Sequence, residues 1–454
     1  MGTKMQLSPL STFLSEKPRN GLYKSKEYQK EAGNRWVKMN ELYSLNFLGK
    51  EATAEHLVVN ESELERFSCV EGDLLFGRTS LTLEGVGDCL LVGEIDDQPV
   101  FESNLFRLRF DLDKAYPLFF YYFFKAPNGR QIIQRIAKQT AATSITAAEL
   151  IQEDVPYLPL DVQKLIANKT HLLDQKITLN RQINQTLEQM AQTLFKSWFV
   201  DFDPVMDNAL DAGNPIPDEL QHRAEARQAV RESEGFKPLP DEVRQLFPDA
   251  FEESELGWVP KGWDVGCLAN IASYTSNRVA TTTLSLNNYV STENMLAEKK
   301  GIVEAANLPT VTTVPAYTTG NVLISNIRPY FKKIWMANGD GGHSNDVLGF
   351  EVKEQNTEGY LFNLLYQDAL FEFMMTTAKG SKMPRGDKKA ILDWQLVIPP
   401  CELREYFSLR VGDFYVSSSK RTEENKTLTK LRDTLLPKLI SGELRLDDIE
   451  LAVE

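Results

Sequence analysis

The sequence predicts an α+β protein of two globular domains, each followed by a long helix, with the two helices suited to pair with one another. Three observations carry this. The first is an internal repeat at an offset of 241 residues. "AKQTAATSITAAELIQEDVPYLP" (Ala137 to Pro159) aligns without a gap on "AKGSKMPRGDKKAILDWQLVIPP" (Ala378 to Pro400). At the same offset "NQTLEQMAQTLFKSWF" aligns on "NKTLTKLRDTLLPKLI", with Asn184/Asn425, Thr186/Thr427, Leu187/Leu428, Thr193/Thr434 and Leu194/Leu435 identical. That period is too long for a solenoid and indicates two copies of one module. The second observation is a narrow apolar stripe in each helical stretch. The third is glycine-punctuated β character ahead of each stripe.

The first domain, residues 1–158, carries its strand signal in "EGDLLFGRTSLTLEGVGDCLLVGE" and then an aromatic run, "LFFYYFFKAPNGRQIIQRIAK". The "FFYYFF" run reads as core rather than as a platform for stacking bases. The first long helix, 159–200, has Asp161 as its expected N-cap. Its stripe is Val162, Ile166, Leu173, Ile183, Leu187, Met190 and Leu194, at spacings near three, four and seven. The second domain, 257–398, repeats the plan with "TGNVLISNIRPYFKKIWMANGDGGHSNDVLGFEV" and "YLFNLLYQDALFEFMMTTAK". Its helix, 399–446, carries Leu403, Phe407, Phe414, Leu428, Leu431, Leu435 and Leu439. A short tail, 447–454, follows. Stripes this narrow, broken by "DQKITLNRQINQT" and "SSSKRTEENKT", suit a two-helix coiled coil better than a domain core. The expected interface residues are Leu187, Met190 and Leu194 in the first helix and Leu428, Leu431 and Leu435 in the second, at opposite ends of an antiparallel pair, and Pro437 with the following "SGE" is expected to end the rod. A helix of about forty residues spans about 60 Å, a spacer's length.

Residues 201–256 have no counterpart after the second helix. They hold five Lys/Arg against fifteen Asp/Glu, most of the chain's net charge of −14. The rest is near balance, so local basic surfaces remain available and the overall acidity does not exclude nucleic acid. Cys69, Cys89, Cys267 and Cys401 are widely spaced and form no metal-binding pattern, and they read as free thiols of a reducing compartment. No apolar run reaches a membrane span, and the first residues have no signal-peptide core, so a cytoplasmic location is expected.

Catalytic constellations are sparse. There is no Asn-Pro-Pro-Tyr or Asp-Pro-Pro-Tyr methyltransferase signature and no GxxxxGK[ST] phosphate loop. Asp340 with Glu351-Val352-Lys353 fits a metal-dependent nuclease pattern only loosely. The four histidines make no triad, and His171 reads as a surface residue. What remains is recognition, which uses side chains that reach base edges and phosphates. In the first copy these are Arg78, Thr79 and Ser80, and Lys138, Gln139, Thr140, Thr143 and Ser144. In the second they are Asn326, Arg328, Lys332 and Lys333; His343, Ser344 and Asn345; and Lys379, Ser381, Lys382, Arg385 and Lys388. The equivalent loops differ in side chains while their flanks match, as one scaffold reading two different half-sites requires.

"LPKLISGELRL", "MAQTLFKSWFVDFDPV", "WVPKGWDVGCLANIA", "GDLLFGRTS" and "MPRGDKKAILDWQLVIPP" together resemble the DNA specificity subunit of type I restriction–modification systems. The resemblance covers essentially the whole chain, although the N-terminus lacks the "GW" opening seen before the second domain. It implies two target-recognition domains and an antiparallel coiled coil whose length sets the unread base pairs between half-sites. It implies double-stranded DNA, two methyltransferase subunits and motor–nuclease subunits as partners, and no membrane. No cofactor is expected in this chain; S-adenosylmethionine, ATP and Mg²⁺ are expected on the partners. The competing expectation is a self-contained nuclease or methyltransferase with duplicated domains.

Overall fold

In the computed structural model, which describes residues 6–139, 142–380 and 382–444, the central strands are buried at every position rather than at alternate ones. Leu74–Gly77, Cys89–Val92 and Leu105–Leu108 are such strands in the first domain, and Val322–Ser325 in the second. Continuous apolar runs of this length are what a sheet covered on both faces demands. The chain forms two units. Described residues up to Asn180 and from Glu423 make one, and Arg181–Thr422 make the other.

Each unit holds the same four-strand order. In the first it is Arg19–Asn20, Leu105–Leu108, Leu74–Gly77, Cys89–Val92, with Phe47–Leu48 added in parallel at the edge. In the second it is Ala272–Tyr274, Val347–Val352, Val322–Ser325, Ile334–Met336. The register also repeats: Leu105 faces Gly77 as Val347 faces Ser325, and Phe76 faces Cys89 as Ile324 faces Ile334. So does the entry turn. Gly72 (φ 87°) and Gly320 (φ 88°) take the left-handed conformation that glycine adopts without penalty. One residue on, Asp73 accepts from the Val70 N–H and Asn321 from the Thr318 N–H, each at 2.8 Å. The aromatic run forms the helix Pro117–Lys125, whose Phe119 to Phe124 are all buried in the first domain's core. Its counterpart is Glu358–Leu365.

The long helices run Leu160–Phe199 and Cys401–Ser441. Within each unit they pair antiparallel. In the first unit Arg432 meets Asp174 (2.6 Å) while Asn425, nearer the start of its helix, meets Asn180 (3.0 Å), farther along the other. In the second unit Phe195 packs on Phe407, and Asn184 donates to the Ser418 carbonyl at 3.2 Å.

Four expectations are corrected, in whole or in part. Met190 and Leu431 are 50% and 43% exposed and drop out of the expected interface, while Leu187, Leu194, Leu428 and Leu435 are half-buried. Apolar burial sits at the helix ends, on Ile166 and Ala167 with Leu436, Leu439 and Ile440, and on Ala191, Phe195 and Trp198 with Leu403, Phe407 and Val411. Farther along the helix pair of the first unit, beside the buried Ile177, Asn180, 1% exposed, donates to Glu424 (2.8 Å) and Asn425. Such a polar layer fixes register at some cost in stability. Asp161 lies inside the first turn, where the Gln163 N–H donates to the Pro159 carbonyl (3.0 Å). Pro437 lies within the second helix, which continues to Ser441, with Leu439 and Ile440 buried in the first domain's core, and stops at the expected Ser-Gly step, where Gly442 has φ 70°. His171 is not a surface group: its Nδ1 is 3.1 Å from the Tyr122 hydroxyl and its ring lies edge-on to Phe47.

The acidic segment is folded, with helices at Asp203–Ala212 and Gln221–Arg231 and a hairpin of Phe251–Ser254 with Gly257–Pro260. Part of its charge is matched internally. Arg227 binds Asp207 through two nitrogens (2.9 and 2.6 Å), and Asp211 pairs with Arg231 and Arg244. Those two arginines hold the Asp211 carboxyl below the usual range. All four cysteines are free, and burial pushes the Cys89 thiol up to about 12.

Candidate nucleic-acid interface

Seven first-copy candidates, distant in sequence, converge. Thr79–Ser80, Thr143–Ser144 and Lys138–Gln139 form one small antiparallel sheet, with Ser144 facing Thr79 on one side and Lys138 on the other. Arg78 enters it: its carbonyl accepts from the Ile145 N–H (2.9 Å), and its guanidinium donates to the Ser103 carbonyl (3.0 Å). Thr79, Lys138 and Gln139 are exposed, while Thr143, in the central strand, is 7% exposed and is corrected to a packing role. Lys138 pairs with Glu149.

The second copy repeats the arrangement. Arg385 bridges Lys379 on one side and Ile327 on the other, matching Ser144 between Lys138 and Thr79. The Arg328 N–H donates to the Pro384 carbonyl (2.8 Å), the Gly386 N–H to the Asn326 carbonyl (3.2 Å), and the Asn326 N–H to the Asp346 carbonyl (2.8 Å). Arg385 lies 3.2 Å from the Asp346 carboxylate. Lys382 is exposed and has no acidic partner among the described residues. Lys333 donates to the Thr292 carbonyl at 2.6 Å, and Lys332 pairs with Asp368 at 3.1 Å. Asp368 comes from the helix Asp368–Thr376, and no local signal in the sequence links it to the loop. Among the described residues, seven buried side-chain polar atoms have no hydrogen-bond partner, and three are here: Asn326 Oδ1, Arg328 Nε and Ser344 Oγ. Thr140 and Ser381 lie outside the described residues, as does the 447–454 tail.

Asn326 and His343 are corrected to largely structural roles, being 7% and 3% exposed. His343 Nδ1 donates to the Ser344 carbonyl (2.9 Å) and Nε2 sits 3.4 Å from the Thr275 hydroxyl. Burial is the main cause that lowers its pKa from 6.5, so it enters the fold neutral. The unfolded chain then binds a proton that the folded one refuses. Stability should therefore fall as pH drops below about 6.5, the unfolded value. His343→Gln should flatten that dependence in a pH series of urea melts; an unchanged slope would remove His343 as its source.

The loose nuclease pattern does not converge. Asp340 accepts from the Thr319 N–H (3.1 Å), and Glu351 faces Ser273 (3.3 Å). Among the described residues, no His/Cys/Asp/Glu cluster is placed to hold a metal, and no helix is long and apolar enough to cross a membrane.

Residues 14–189 match the sequence family described as type I restriction modification DNA specificity domain. The chain is 26% identical to the type I restriction enzyme HindI specificity subunit of Haemophilus influenzae, over 82% of this chain and 87% of that one. It is 22% identical to the MjaIX specificity subunit of Methanocaldococcus jannaschii, over 78% of this chain and 75% of that one. A crystal structure of a type I restriction–modification S subunit from M. genitalium shares the fold at TM-score 0.55 and 12% identity, with 96% of each chain covered.

Proposed function

We propose that the chain is a DNA specificity subunit of a type I restriction–modification system and that its two domains each read one half of a bipartite DNA target. One observation carries the reading. The same backbone pairing, Thr79–Ser144–Lys138 and Ile327–Arg385–Lys379, recurs in both domains with different side chains at matching positions. A shared frame with unlike side chains suits two unlike half-sites. Arg385 and Lys382 supply phosphate or guanine contacts in the second domain, and Gln139 and Thr79 supply hydrogen-bonding contacts in the first.

This chain acts as address and scaffold rather than as a catalyst. Its partners are double-stranded DNA, methyltransferase subunits that use S-adenosylmethionine, and motor–nuclease subunits that use ATP and Mg²⁺. It works in the cytoplasm, as domain one at 1–158 and domain two at 257–398. Purified chain with S-adenosylmethionine, Mg²⁺ and DNA is expected to show neither methylation nor cleavage; either activity would establish the self-contained enzyme instead.

The binding test uses the chain assembled with its methyltransferase subunits. Lys382→Ala/Arg385→Ala should weaken binding about 10- to 100-fold and lower the salt dependence by about one unit of slope per lost phosphate contact. The loss should vanish on DNA whose second half-site is scrambled. An equal loss on both DNAs sinks the assignment of these residues to the second half-site.

A further inference from the structure

We propose that Tyr330 and Phe331 form an apolar wedge with which the second domain enters the duplex and partly unstacks a base step. The proposal rests on the DNA-reading role above. The two rings lie 4.6 Å apart, 47% and 37% exposed, in a short 3-10 turn, Pro329–Phe331. Large aromatic side chains bury readily, so an exposed pair needs a reason. Here the backbone is strained to hold it out. Among the described residues, six non-glycine residues have positive φ, and four meet at this turn: Arg328 (51°), Lys332 (49°), Glu298 (55°) and Lys299 (59°). The first two flank the turn. The others lie in a second loop, whose Glu298 N–H donates to the Phe331 carbonyl and Lys299 N–H to the Lys332 carbonyl, both at 2.9 Å. The Asp368 carboxylate ties the loops together, at 2.6 Å from Lys299 and 3.1 Å from Lys332. Strain of this kind persists only where surrounding structure enforces it, and it concentrates at ligand sites.

The surroundings select the ligand. Arg328 precedes the pair and Lys332 follows it, and Lys333 lies 5.7 Å from the Phe331 ring centroid. Arg328 is hydrogen-bonded to the segment carrying Lys382 and Arg385. An apolar point ringed by cations complements a surface with anionic edges and a stacked, apolar interior, which describes a duplex. Apolar wedges inserted at base steps are an established way of kinking DNA. The first domain has an apolar side chain at the corresponding turn: Leu81, directly after Thr79–Ser80, is 92% exposed.

The test places 2-aminopurine at each step of the second half-site in turn and uses the full chain assembled with its methyltransferase subunits. Binding should raise the fluorescence several-fold at one step. Tyr330→Ala/Phe331→Ala should abolish the rise and weaken binding about tenfold. Tyr330→Phe should keep both. Unchanged methylation-subunit assembly would show that the double variant is folded. A rise that survives the double variant, or no rise at any step while DNA still binds, overturns the wedge. Loss of subunit assembly with the fluorescence intact assigns the pair to a protein contact and also overturns it. Failure of the wild-type assembly to bind DNA overturns the reading on which the wedge rests.

Discussion

Asp73→Ala is expected to cost the first domain about 3–5 kcal/mol, the usual penalty for stranding a buried charge. The Asp73 carboxylate is fully buried. It accepts from Arg109 Nε (2.8 Å) and Nη2 (2.7 Å) and from the Val70 N–H (2.8 Å). Arg107, 2% exposed, lies 3.8 Å away and also pairs with Glu16 at 2.5 Å. The hydrogen bond to Asp73 is the main cause that raises the Arg109 pKa above its ordinary value. Removing the carboxylate leaves Arg107 and Arg109 to share Glu16 and the Ser68 carbonyl, and opens the turn that starts the central strand. For a unit of this size the loss corresponds to a fall in midpoint of roughly 10 °C, readable by calorimetry. The second domain supplies the control. Its equivalent residue, Asn321, makes the same turn with a neutral amide, and Gly349 and Glu351 stand where the first domain has Arg107 and Arg109. Asp73→Asn should therefore keep the turn, lose only the ionic part, and cost less than Asp73→Ala. Equal costs would show that charge, not the turn, carries the stability.

That comparison shows what the sequence could and could not disclose. The 241-residue repeat made the duplicated plan legible, because ungapped identity survives where backbone geometry is fixed. "EGDLLF" and "TGNVLI" share little beyond Gly and an apolar run, yet they make the same turn with the same hydrogen bonds. The convergence of Arg78 to Ser80 with Lys138 to Ser144 was present in the sequence only as two polar loops. Strand pairing joins them, and pairing partners about sixty residues apart leave no local trace. The helix interface is only partly legible, for a physical reason. Leucine spacing locates an apolar face but does not say which residue on it meets the partner, and an asparagine within the contact looks like a surface residue. The polarity of His343 suggests an exposed side chain, whereas it is 3% exposed and meets Thr275, from a distant segment. The strained turn around Tyr330 was invisible for the same reason: a non-glycine residue with positive φ carries no sequence mark.

Phe407→Ala should bring a loss of similar size in the other unit. Phe407 is fully buried at the start of the second long helix. Its ring meets Phe199 (5.1 Å), Phe195 (5.8 Å) and Trp198 (5.9 Å) edge-on, all from the end of the first helix. Truncation leaves a cavity among groups that are themselves held by Tyr360 and Trp263, so little collapse is available. The expected cost is about 3–5 kcal/mol, with Phe407→Leu much milder because it keeps most of the volume. Ile166 is the residue 241 positions earlier, 1% exposed, and it packs in the first domain with Leu436, Leu439 and Ile440. If the two domains read separate half-sites, the two lesions should be separable in function. At a temperature where the weakened unit is partly unfolded, Phe407→Ala should lose discrimination at the second half-site and keep it at the first, and Ile166→Ala should do the reverse. Competition binding with one half-site scrambled at a time reads both. Loss of both half-sites together from either variant would mean that the two domains do not read DNA independently.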